Sequence, residues 1–149
     1  MNLRDQWISN KPWEAWQDWT LLLIRVLSGL GMFALHGVRK WNRLFTSEGP
    51  IDFADPLFLG PEFTLYIAIF AEVICALLLV FGFRTRFVTL PLLATMLVII
   101  FRVHWADPIA DQETPILYLL SYLVLLVWGG GKYSVDHWFA KRTDNNVSA

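Results

Sequence analysis

The segment WTLLLIRVLSGLGMFALH, residues 19–36, is almost uniformly apolar and long enough to cross a lipid bilayer as one helix. Three further segments have the same character, residues 61–83, 87–105 and 114–130. The short alternating segments that build a membrane β-barrel do not occur in the sequence. We therefore predict an all-α integral membrane four-helix bundle, with residues 1–149 in a single membrane domain.

The composition supports a membrane protein and narrows the possible functions. Of the 149 residues, 56% are hydrophobic and 17% are charged, with a mean hydropathy of +0.46. This is more apolar surface than a soluble domain of this size can bury. A net charge of −1 without a soluble basic face argues against nucleic-acid binding. The single cysteine, Cys75, excludes an intrachain dithiol relay or disulfide.

The flanking segments indicate how the chain sits on the membrane. In residues 1–18 and just beyond, Trp13, Trp16 and Trp19 recur every three residues, which predicts an N-terminal amphipathic interfacial helix. With the N-terminus in the cytoplasm, seven Lys and Arg residues lie on the cytoplasmic side and three outside, so both termini are expected to be cytoplasmic. Residues 137–149 form a polar tail, whose last nine residues we expect to be disordered.

Two charged residues lie within the apolar segments. Arg25 shares a helical stripe with Gly29, Met32 and His36, and Glu72 lies near the middle of the second segment. A charge in the hydrocarbon core costs at least ~2.5 to 3.5 kcal/mol, so both side chains should face the bundle interior. Their depths differ by only ~6 Å at a rise of ~1.5 Å per residue. A salt bridge is geometrically feasible and would form a polar site for proton transfer or ligand binding.

Structural interpretations of the same residues stay open. Arg25 can snorkel to the nearby membrane surface, and Glu72 can be protonated and hydrogen-bonded between helices. Together they can fix helix register in a non-enzymatic membrane scaffold or assembly factor. A transporter is less favoured, because one four-helix chain leaves little room for alternating access.

A second group of polar residues gathers at the opposite ends of the helices. His36 and Lys40 follow the first segment, Arg102 and His104 end the third, and Glu113 precedes the fourth. Arg102 and His104 project about 200° apart on a helix, so they cannot both face one site. Either can instead bind lipid headgroups. Without HxxxH or CxxC spacing, we predict no metal site.

Several short motifs follow one another between Leu22 and Asp136. They are IRVLSGLGMF, HGVRK, DPLFLG, FAEVICALLLVFGFRTR, FRVHWADP, ETPILYL and GKYSVD. Their order and spacing resemble the DoxX family of small four-helix bacterial membrane proteins. Two positions depart from the family pattern: GGG stands where Gly-Pro-Gly is expected before Lys132, and Arg102 is unexpected in its motif.

The resemblance implies a multi-pass protein of the bacterial cytoplasmic (inner) membrane that acts as a quinone-linked subunit of an oxidoreductase assembly. Glu72 and Arg25 would then be the catalytic proton relay. The residues that would bind the quinone or substrate are Arg25, His36, Lys40, Glu72, Arg102, His104 and Glu113. The sequence has no haem, flavin or iron–sulfur motif, so electrons would come from outside the chain. The expected partners are membrane lipid and a redox partner protein or a second copy of the chain.

Overall fold

The computed structural model describes residues 11–46 and 49–147, with side chains described for 15–46 and 49–142. All regular structure in these ranges is helical. Helix α1 is continuous over Lys11–Gly31, a π-helical segment Met32–Gly37, and Val38–Thr46. Helix α2 is continuous over Pro61–Ile69, a π-helical segment Phe70–Cys75, and Ala76–Phe81. The remaining helices are α3, with Thr85–Val98 and a π-helical segment Ile99–Val103, then α4, Ile109–Trp128, and α5, Val135–Val147.

The four longest helices confirm the predicted membrane bundle. The parts long and apolar enough to cross a membrane are Ala15–Thr46, Pro61–Phe81, Thr85–Val103 and Ile109–Trp128. Each helix packs against the next in the order α1, α2, α3, α4, and α4 packs back against α1. We call the end with the α2–α3 connection the turn end, and the end with residues 49–60 the loop end.

Side chains from all four helices form the core of the bundle. Its buried residues are Met32, Cys75, Ala76, Leu79, Val88, Leu92, Leu93, Met96, Tyr122 and Leu125. Gly29 brings α1 close to α2, because a Cβ at this position would lie 2.6 Å from the Val80 Cγ2 atom. This close approach is what a glycine on the Arg25 stripe permits.

The helix ends differ most from the predicted segments at both ends of α1, at the start of α4, which begins at Ile109 instead of residue 114, and in the C-terminal tail. Helix α1 continues to Thr46, ten residues beyond His36, because Val38–Thr46 contains neither Gly nor Pro to end it. At its start, residues 11–18 continue directly into the membrane helix, and residues 1–10 of the predicted interfacial segment lie outside the described residues. The tail that was expected to be disordered is helical as far as Val147.

Arg25 ties α1 to the chain that follows α4. Its side chain is buried, with 2% exposure, and its Nη1 and Nη2 atoms donate hydrogen bonds to the carbonyl oxygens of Gly130 and Tyr133, each at 2.8 Å. Gly82, at the end of α2, has a φ of +69°, and a Cβ there would lie 2.1 Å from Arg25 Nη1. The guanidinium therefore occupies a compact backbone pocket at the turn end.

Asp136 closes the turn end from the other side. Its carboxylate accepts hydrogen bonds from the backbone N–H groups of Arg84 at 2.6 Å and Thr85 at 2.8 Å. Its own N–H donates to the carbonyl of Gly82 at 3.0 Å. The carboxylate thus satisfies N–H groups at the start of α3 that have no partner inside the helix.

We predict that Gly82→Ala destabilises the protein more than the backbone conformation alone requires. A left-handed conformation costs a non-glycine residue about 1–2 kcal/mol, and the added methyl group would also displace the Arg25 guanidinium. Thermal unfolding of the purified protein in detergent measures the loss. Gly60→Ala is a comparison in open space, since Gly60 has a φ of +97°, a ψ of 138° and no described atom within 4 Å of an added Cβ, so its loss comes from the backbone conformation alone. A loss of no more than about 1–2 kcal/mol in Gly82→Ala would contradict the close fit around Arg25.

Candidate functional site

Glu72 lies inside the bundle, as its position in the second apolar segment predicts. It belongs to the π-helical segment Phe70–Cys75 of α2 and is 1% exposed. The small residues Ala68, Cys75 and Ala76 of the same helix are buried with it. Such a buried carboxylate requires a charged or hydrogen-bonding partner.

Lys40, near the loop end of α1, is that partner. Its Nζ atom lies 2.5 Å from Glu72 Oε2 and donates a hydrogen bond to it. The salt bridge considered between Arg25 and Glu72 is therefore wrong, because Glu72 pairs with Lys40. Arg25 instead extends towards the turn end. There its guanidinium donates hydrogen bonds to the backbone carbonyl oxygens of Gly130 and Tyr133.

The π-helical segment Met32–Gly37 changes which residue of α1 faces the Glu72 backbone. A π-helical turn accommodates about one extra residue, which rotates the following helix by roughly 100°. On a regular α-helix His36 would continue the stripe of Arg25. In the structure Gly37 turns to α2 instead, and a Cβ there would lie 2.6 Å from the Glu72 carbonyl oxygen. Lys40, about one turn further along, then also faces α2.

A cavity of about 330 Å³ opens beside the ion pair. It lies between α2 and α3, beneath the loop of residues 53–59. Among the described residues that line it, Lys40 and Glu72 are the charged ones and Thr64 and Thr95 carry the hydroxyl groups. The others are Phe53, Ala54, Pro56, Leu57, Leu59, Ile67, Ala68, Ala71, Pro91, Ala94, Val98, Ile99 and Val103. The ion pair thus borders an otherwise apolar space.

Asp55 stabilises the loop that covers this cavity. Its carboxylate accepts hydrogen bonds from Leu59 N at 3.0 Å, Gly60 N at 2.7 Å and Thr64 Oγ1 at 2.7 Å. These contacts join the loop to the first turn of α2. The DPLFLG motif therefore stabilises the loop over the cavity, a role that its sequence does not predict.

Arg102 holds the same loop from α3. Its Nε and Nη2 atoms each lie 3.3 Å from the Pro56 carbonyl oxygen. Arg102, which the resemblance predicts to bind the ligand, therefore contacts the loop that covers the cavity. On the same helix, Pro91, Thr95 and Val98 line the wall of the cavity.

The other predicted site residues at the loop end lie outside the lining of this cavity. The His36 ring meets Tyr118 edge-on, with centroids 5.9 Å apart. His104 Nδ1 lies 2.6 Å from Asp107 Oδ2, so His104 and Arg102 do point to different partners. Glu113 is exposed at the start of α4. Ligand binding by these residues stays a prediction.

The arrangement can bind a small molecule with an apolar body and a polar edge. The Lys40 ammonium can donate a hydrogen bond, and the Glu72 carboxylate can accept a hydrogen bond or a proton. The apolar walls exclude water and strengthen both interactions. In the part of the chain that the structure describes, no group of three His, Cys, Asp or Glu side chains is placed to hold a metal ion.

Comparisons with known proteins agree with the motif pattern. The DoxX family profile matches residues 20–105. A Bacillus subtilis (strain 168) protein named "Putative oxidoreductase CatD" is 32% identical over 130 residues, covering 86% of this chain and 93% of its own. An uncharacterised protein of Haemophilus influenzae (strain Rd) is 32% identical over 124 residues, covering 78% of this chain and 81% of its own. No solved structure gives a significant match. With its four apolar helices, this chain is a membrane protein and belongs to the DoxX family.

Proposed function

We propose that the protein is a quinone-linked membrane subunit of an oxidoreductase assembly and binds a quinone headgroup beside Glu72 and Lys40. The observation that carries this proposal is the buried ion pair at the edge of an apolar cavity of about 330 Å³. The name of the Bacillus subtilis relative supports an oxidoreductase role.

The cavity suits such a headgroup in size and in chemistry. Ligand pockets typically measure about 300–1,000 Å³ and combine apolar walls with a few polar groups. A quinone ring is flat and mostly apolar, with carbonyl oxygens at its edge that accept hydrogen bonds. Leu57 and Ala94 line the cavity and are also exposed at the protein surface, so an isoprenoid tail can leave towards lipid.

Each residue of the ion pair has a separate task in this proposal. A bound quinone supplies two-electron, two-proton redox chemistry. Lys40 donates a hydrogen bond from Nζ to a ligand carbonyl oxygen and orients the ring. Glu72 holds and transfers a proton at its Oε atoms, in exchange with its partner Lys40. Arg25 has a structural task at the turn end, because backbone carbonyls already occupy its guanidinium.

The electrons must reach the site from outside this chain. We propose a partner protein with its own flavin, haem or iron–sulfur centre as the donor, and a second copy of the chain as a further possible member of the assembly. We propose that the protein lies in the bacterial cytoplasmic membrane with both termini in the cytoplasm, an orientation that the distribution of Lys and Arg supports. The cavity at the loop end would then lie in the outer half of the membrane.

Protein purified in mild detergent is expected to retain near-stoichiometric quinone. Ala94→Trp should greatly reduce the amount retained, since Ala94 is exposed on α3 and lines the cavity, so that the larger side chain can fill its mouth. Mass spectrometry of the organic extract measures the quinone. Leu97→Trp, on the same helix but outside the lining and 43% exposed, is the matched control. Wild-type protein with no more quinone than an unrelated four-helix membrane protein would favour the scaffold or assembly-factor alternative.

Glu72→Gln should slow quinone reduction by roughly 10²-fold or more, the usual contribution of a positioned acid or base. Glutamine keeps the size of the side chain and removes its titratable proton. The measurement is the reduction rate of a short-chain quinone in membranes of the native host, which contain the electron donor. Glu62→Gln is the control, because Glu62 is exposed in the first turn of α2 and lies outside the cavity. An unchanged rate in Glu72→Gln, at equal protein abundance, would refute the proton-transfer role.

A further inference from the structure

Helix α5, which follows the membrane bundle, carries large aromatic side chains on one face. Trp138, Phe139 and Arg142 lie within about 100° of one another around the helix, and all three are exposed. Ala140 lies about 160° from Trp138, on the other side of the helix. We call Trp138 and Phe139 the aromatic face of α5.

The start of α5 is fixed to the bundle at the turn end. Ser134 precedes the helix, and its Oγ atom accepts a hydrogen bond from the His137 N–H group at 3.2 Å, as an N-terminal cap does. Asp136, in the first turn, bonds the α2–α3 connection as described above. The ring of Tyr133 packs against that of Trp19 on α1, with centroids 4.8 Å apart. The chain therefore enters α5 beside Trp19.

Exposed aromatic residues at the turn end mark the boundary of the membrane. Each of the four membrane helices carries one there, and these are Trp19, Phe81, Phe87 and Trp128. Trp rings favour the level of the lipid headgroups, because the indole is apolar in body and polar at its N–H group. Since Tyr133 contacts Trp19, α5 begins at this level.

Ring contacts connect the aromatic face to the lipid-facing surface of the bundle. The Phe139 ring meets the Phe83 ring edge-on, with centroids 6.4 Å apart, and lies 4.9 Å from the Trp138 ring. Phe83 follows the end of α2, two residues after the exposed Phe81. The aromatic face therefore extends the apolar surface that α2 presents to lipid, and lipid is the medium that covers both.

Basic side chains accompany the aromatic face. The Arg142 guanidinium lies 5.3 Å from the centre of the Trp138 ring, and the neighbouring Lys141 is exposed. Long cationic side chains pack their stems along apolar surface and place their charge among the headgroups. Aromatic residues with flanking Lys and Arg are typical of helices that lie in the membrane interface.

We propose that α5 lies in the plane of the membrane interface at the turn end, with its aromatic face inserted among the lipids. Trp138 and Phe139 reach the boundary between headgroups and acyl chains. Lys141 and Arg142 interact with anionic headgroups, and Ala140 faces water. This inference does not depend on the proposed quinone site.

Spin-label depth measurements test the proposal on the full chain. A nitroxide is attached to Trp138→Cys or Ala140→Cys, each combined with Cys75→Ala, in vesicles of dioleoylphosphatidylcholine and dioleoylphosphatidylglycerol. Collisions with oxygen, which concentrates in lipid, and with a nickel complex, which stays in water, give the depth of the label. The label at position 138 should lie about 5–10 Å inside the membrane surface, and the label at position 140 should lie in water.

Two results of this measurement would overturn the proposal. If the nickel complex reaches both labels freely, α5 stands in water, where its aromatic face would be available to a soluble protein. If neither oxygen nor the nickel complex reaches the label at position 138, that face is packed against protein instead of lipid.

Trypsin cleavage after Lys141 and Arg142 gives a second test that needs no label. In lipid nanodiscs, Trp138→Gln should accelerate cleavage relative to the wild-type protein, because it removes the larger aromatic anchor and exposes these sites. Ala140→Gln is the matched control and should leave the rate unchanged. Mass spectrometry follows the loss of the C-terminal residues. Equal cleavage rates for wild type and Trp138→Gln would contradict insertion of the aromatic face.

Discussion

The cost of holding a charge inside a membrane protein governs the arrangement of this bundle. A buried cation or carboxylate is tolerated only where other groups replace the water that it loses. Arg25 meets two backbone carbonyls at the turn end, and Glu72 meets Lys40 towards the loop end. One charge therefore joins parts of the chain that lie far apart in sequence, and the other borders an apolar space open to ligands. The same physical requirement produces a structural tie in one half and a candidate site in the other.

Much of the fold follows from segment length and hydropathy. Four apolar stretches of bilayer length predict four packed helices, and the cost of a charge in the hydrocarbon core correctly predicts that Arg25 and Glu72 face the bundle interior. The partner of Glu72 could not be predicted in the same way. The predicted first segment ended at His36, whereas α1 continues to Thr46 and carries Lys40 alongside α2. The π-helical segment Met32–Gly37 also shifts the phase of the helix, which a stripe at a constant turn of about 100° per residue does not include.

The cover of the apolar cavity was beyond sequence reasoning for a different reason. The loop depends on hydrogen bonds that the Asp55 carboxylate accepts from nearby backbone N–H groups, and on those that Arg102 donates to the Pro56 carbonyl oxygen, 46 residues away in sequence. Side-chain contacts to irregular backbone leave no periodic pattern. The DPLFLG motif is recognisable in the sequence, but the cavity that it covers exists only where α2 and α3 pack side by side.

The π-helical segments also divide the bundle into two halves with different freedom to change. In the described helices, Met32–Gly37, Phe70–Cys75 and Ile99–Val103 lie between the middle of the bundle and the loop end, whereas the turn end is regular α-helix. A π-helical turn can arise from a single-residue insertion that the surrounding helix absorbs. The half around the cavity can therefore accept one-residue insertions and deletions that re-aim its side chains. The half that Arg25 stabilises keeps a constant helix register. The bundle can therefore acquire new ligand preferences at the loop end while the packing at the turn end stays the same.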